Sequence, residues 1–167
     1  MTGDAPPGPN AVGLLYRHAL DERARRLFPA GGRVLGLPQA PGEAGPFDAA
    51  YGRPGALDGA DLEAVGRALA AVLRPGAPVL ICIGARRPGL REARARLGPG
   101  FSWSASFGLG LLLPGEAREE WTRRHPQAFG ILAAAESVVR RWPVLRALGE
   151  YVAMEGSRRS DRAPDTL

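Results

Sequence analysis

Two strand-like runs stand close together early in this chain, and their spacing limits what can be built between them. Arg33-Val34-Leu35-Gly36-Leu37 leads through only nine residues, 38–46, into Phe47-Asp48-Ala49-Ala50-Tyr51. A crossover between parallel neighbours usually takes roughly a dozen residues or more, most often including a helix. If the two runs pair side by side in parallel, their connection is therefore tight and helix-free. The run Val34-Leu35-Gly36-Leu37 lacks polar alternation, as expected of a strand covered on both faces. With no strand beyond it, its free side becomes an open sheet edge, which either invites a partner or is protected by the Pro-rich loop and the first helix folding over it.

The chain's 167 residues, 45% hydrophobic and 23% charged, suit one globular domain with a real core. The formal charge is +5 and every basic residue is arginine. That charge is interleaved: Arg23, Arg25, Arg26, Arg94, Arg96, Arg123 and Arg124 alternate with Asp21, Glu22, Glu92, Glu119 and Glu120. A solvated mixed face is expected rather than a nucleic-acid surface. No run approaches the ~18 to 20 apolar residues of a membrane span. One cysteine excludes an internal disulfide, and with two histidines it leaves too few ligands for a closed zinc site. The expectation is a cytoplasmic protein with no metal, nucleic acid or membrane partner.

The periodicities predict helices over residues 11–28 and 61–73, the second capped by Asp58 or Asp61 and ended by Arg74-Pro75-Gly76. Residues 78–84, with Val79-Leu80-Ile81-Cys82-Ile83 at their centre, read as a central parallel strand. Cys82 belongs to that core. A short basic helix within 86–97 precedes a bent strand, or two, over 101–113, with Gly108 and Gly110 as the bend points. Helices follow over 116–124 and 127–142, the second expected to bury Ile131, Ala135, Val138 and Trp142. A last strand spans 151–156. Residues 1–10 and 157–167 are expected to be disordered flanks of a single domain, 11–156.

This order of elements resembles the class I S-adenosylmethionine-dependent methyltransferases. The resemblance rests on Phe47-Asp48-Ala49-Ala50-Tyr51, similar to the family's fourth strand, and on Leu73-Arg74-Pro75-Gly76-Ala77-Pro78-Val79-Leu80, similar to its turn into the fifth. The family's cofactor loop aligns with residues 34–43, where Val34, Leu35, Leu37, Gly42 and Glu43 match. Gly36 stands in place of an acid, and Pro38 and Ala40 replace glycines that let the backbone approach the ligand. The units that would hold the ribose and adenine are missing.

The resemblance implies an α/β fold: a truncated Rossmann-like sheet of about five strands, mostly parallel with an antiparallel last strand, flanked by helices and carrying a helical cap over 116–148. It implies S-adenosylmethionine as ancestral cofactor, with Gly36, Gly42, Glu43 and Asp48 as remnants of its site, unless Asp48 simply pairs with an arginine. Tyr51, Arg53, Trp121 and His125 then fall on the substrate side. The expected function is that of a degenerate, non-catalytic module that binds a small molecule, a second copy or a full-length methyltransferase. The alternative is an active methyltransferase of a small-molecule acceptor, its site completed in an oligomer.

Overall fold

The computed structural model describes residues 11–38, 45–85, 89–113, 119–140, 142 and 148–160. Helix α1 (Ala11–Leu27) leads into strand β1 (Val34–Leu37), and β2 (Ala49–Gly52) follows without an intervening helix among the described residues. Then come α2 (Leu62–Val72), β3 (Pro78–Gly84), α3 (Leu90–Arg96), β4 (Phe101–Leu109), α4 (Glu119–Arg124), α5 (Pro126–Val139) and β5 (Tyr151–Arg158). The strands form one open sheet in the order β1-β2-β3-β5-β4. β1, β2 and β3 pair in parallel, while β5 runs antiparallel to both β3 and β4. The protein is thus an α/β domain built on a five-stranded mixed open sheet flanked by helices.

β3 shows why the sheet has helices on both faces. Val79, Ile81 and Ile83 enter one apolar cluster with Leu62 and Leu69 of α2 and Ala93 of α3. Leu80 and Cys82 point into the other, with Val12, Tyr16 and Leu20 of α1 and Phe129, Leu132 and Ala133 of α5. A strand sandwiched this way has no solvent face, hence its unbroken apolar run. Asp61 caps α2, its carboxylate accepting from the Glu63 amide at 3.0 Å. Gly76, at φ +79°, makes the turn after Arg74-Pro75 that a residue with a side chain rarely adopts.

Several expectations change. β1 is not covered on both faces: Leu35 is buried, but Val34 is 42% exposed and Gly36 lies open. Among the described residues no helix shields that side of the edge strand. Phe47 does not extend β2, because its amide donates to the Val72 carbonyl (2.8 Å) and its carbonyl accepts from the Arg74 amide (3.0 Å) at the end of α2. The irregularity in β4 falls between Trp103 and Ala105 rather than at Gly108, and Gly110, at φ +74°, turns the chain just after the strand.

β5 runs two residues beyond the expected end, since Ser157 pairs with Pro78 and Arg158 with Phe101. In α5 the buried and exposed faces are exchanged. Ile131, Val138 and Trp142 are exposed at 71%, 64% and 56%, and Glu136 faces inward at 5%. Residues 1–10, Gly42 and Glu43 of the aligned loop, the first residues of the expected helical cap and 161–167 lie outside the described residues.

Candidate functional site

At the carboxyl ends of β1 and β2 a cleft of about 320 Å³ is lined by Gly36, Leu37, Pro38, Tyr51 and Arg53. The carboxyl ends of parallel strands are where open α/β sheets ordinarily bind ligands. The sheet brings these residues together through register alone, Gly36 pairing with Tyr51 and Leu37 with Gly52. A Cβ built on Gly36 would meet nothing within 4 Å, so a ligand atom can approach the backbone there. Tyr51 is fixed rather than free. Its hydroxyl donates to Asp21 Oδ1 of α1 at 2.8 Å, and its ring meets Phe28 edge-on, centroids 6.1 Å apart.

Burial, reinforced by the hydrogen bond to Asp21, pushes the Tyr51 phenol well above its ordinary value. It stays protonated and cannot serve as a base near neutrality. Arg53 is exposed, its guanidinium 5.7 Å from the Tyr51 ring centroid. Beyond it, Asp58 stands at the end of β3: a Cβ on Gly84 would lie 3.9 Å from its Oδ1. The cleft is therefore a shallow shelf with an aromatic wall and a cation at its rim.

Asp48 lies at the other end of β2. Its carboxylate accepts from the Arg33 amide at 2.9 Å and from Arg74 Nη1 at 2.7 Å, and the Asp48 amide donates to the Arg33 carbonyl at 2.8 Å. These bonds pin the start of β1 to the start of β2 and both to the turn after α2. Tyr51 lies three positions on from Asp48, roughly 10 Å along the sheet. Asp48 is a clamp at the amino end, not a wall of the cleft.

Trp121 and His125 stack on each other in and just after α4, ring centroids 5.3 Å apart. Tyr51 instead takes its partners from α1 and the segment after it, so the four expected substrate-side residues divide between two neighbourhoods. Cys82 is fully buried, and burial raises its thiol far above the reactive range. Among the described residues no group of three or more His, Cys, Asp or Glu side chains is placed to hold a metal ion. No helix among them is long and apolar enough to cross a membrane.

Three acidic residues given no role by the sequence tie helices α1 and α5 to the sheet. Asp21 holds Tyr51. Glu155, 3% exposed in β5, forms a bidentate pair with Arg23 of α1, both bonds at 2.6 Å. Glu136 of α5 gathers the amides that follow β4, accepting from Gly110 (2.8 Å), Leu111 (3.0 and 3.1 Å) and Leu112 (2.8 Å). Consecutive amides of this kind make an anion-binding concavity, here filled by the protein's own carboxylate. The only local signal for Glu136 is its position as the sole charge in a 14-residue helix.

The fold and cleft together define an α/β protein with an open sheet and a shallow depression at the carboxyl ends of β1 and β2. No protein-family model and no curated protein sequence matches the chain.

Proposed function

We propose that this chain is a methyltransferase-like protein whose cofactor pocket is reduced to the Gly36–Arg53 shelf, and that it acts as a non-catalytic binding or partner module. The observation that supports this most directly is the position of β1. It is the last strand of the sheet, so among the described residues no neighbouring strand offers an acid to grip ribose hydroxyls. The residues that remain do not fit S-adenosylmethionine. Arg53 sets a positive charge at the rim, where a sulfonium would be repelled. Asp48, the one acid of the aligned region among the described residues, is engaged by Arg33 and Arg74 at the far end. Methyl transfer requires donor and acceptor in line at contact distance, and a shelf that does not hold the donor removes that contribution to rate.

Calorimetric titration of the full chain with S-adenosylmethionine and S-adenosylhomocysteine tests the reading. No saturable heat is expected at micromolar concentrations. Saturable micromolar binding, lost in Gly36→Val, would overturn it. A second reading, an active methyltransferase with a site completed by a partner, draws on one observation: the β1 edge is open and Val34 is exposed beside it. Binding of the donor that appears only as the protein associates would favour that reading.

A further inference from the structure

Helix α5 carries a single charged residue, Glu136, and that residue is buried. The solvent side of the helix has no charge along its length. Ile131 and Val138 stand two turns apart on one face, with exposed Ala134 between them. Trp142 extends the stripe, its amide donating to the Val139 carbonyl at 2.9 Å so that the chain keeps turning past the helix end. Four of the seven exposed large apolar side chains among the described residues fall between 131 and 148. A helix apolar on all sides is ordinarily a buried helix.

We infer that the outer face of α5 packs against the same face of a second copy about a twofold axis passing near Ala134. Two features select this occupant. A partner recognised by charge would need complementary charges on the stripe, and it has none. The chain bears a formal +5, and a neutral patch of this kind lets two copies meet without apposing like charges. A neutral apolar stripe is also complementary to itself, as an isologous contact requires.

The area agrees with a weak dimer. Ile131, Val138 and Trp142, with the small residues that let two helix backbones approach to about 8–10 Å, offer roughly 500 Å² per copy. The pair then buries about 1,000 Å², the lower bound for a specific interface. The inference does not rest on the cofactor reading, and a titration that overturned the latter would leave it standing.

Sedimentation equilibrium of the full chain from about 1 to about 300 µM tests it, with a dissociation constant on the order of 10 µM expected. Val138→Glu, on an exposed position that does not disturb the core, should weaken association at least tenfold at unchanged circular dichroism. Ala134→Cys should form an intermolecular disulfide under mild oxidation, because the twofold brings the residue to its own counterpart. The natural Cys82 is buried and should not. A wild-type monomer over the whole range would overturn the inference. So would association unaffected by Val138→Glu, or a dimer in which Ala134→Cys fails to cross-link. Monomeric protein that binds anionic lipid vesicles through Ile131 and Val138 would instead assign the face to a membrane surface.

Discussion

Glu136 is the residue on which local order depends most. Its carboxylate serves three consecutive amides after β4, and hydrogen bonds to a charged group contribute about 1.5–3 kcal/mol each. Glu136→Ala leaves those amides unsatisfied beneath α5, and a loss of about 3 kcal/mol is expected in urea unfolding at pH 7. Glu136→Gln should recover part of it, since one oxygen still accepts. Apart from its being the sole charge of α5, nothing in the sequence marks the residue, because its partners lie 24 to 26 positions upstream and are backbone groups, which any residue type supplies.

Tyr51 gives a pH prediction. Burial, with help from Asp21, raises its folded value above the ordinary 10.0, so its contribution to stability is complete below that pH. It is lost as the pH rises, because the unfolded chain releases the proton that the folded chain retains. Tyr51→Phe should flatten the fall in stability above about pH 10. An unchanged slope in denaturation curves across that range would contradict the assignment.

Among the elements, α5 is the one whose existence was legible and whose orientation was not. Its apolar residues occupy nearly every position, so the 3.6-residue period carries no contrast, and a stripe through Ile131, Ala135 and Val138 reads as well as one through Phe129, Leu132 and Ala133. The demand of the Gly110 to Leu112 amides for an acceptor turns Glu136 inward, and the first stripe outward with it. β1 shows the same limit: four apolar residues mark a strand, but not that one of its faces is left uncovered.

The approach of α2 to the end of α3 supplies a third prediction. A Cβ on Gly66 would collide with the Leu97 carbonyl. Gly66→Ala should therefore destabilise the protein by about 2 kcal/mol or more, although glycine to alanine within a helix ordinarily gains up to about 1 kcal/mol. Thermal unfolding of the variant measures which effect wins.

For the whole molecule, the Arg23–Glu155 pair joins the first helix to the last strand, 132 positions apart. The Glu155 side chain is 4% exposed and that of Arg23 36%. Arg23→Ala abandons a buried carboxylate and should cost about 3 kcal/mol, while the Arg23→Ala/Glu155→Ala double variant should lose less than the sum of the single changes. Additive losses would mean that the two side chains act independently.

The sequence by itself determined the elements and their punctuation. The unbroken apolar run of β3, an aspartate cap at Asp58 or Asp61 and the Arg74-Pro75-Gly76 turn are written in residues adjacent along the chain, and the short connection after Leu37 already implied an edge for β1. Only the tertiary structure decided that Asp48 clamps the amino end of β2 instead of facing the cleft, that Tyr51 answers to Asp21, and that α5 shows its apolar side to solvent. Each of these turns on a charge or hydrogen-bonding group meeting a partner far away in the chain. Local pattern encodes how the backbone bends, whereas the direction a side chain faces is settled by whichever distant group can satisfy it.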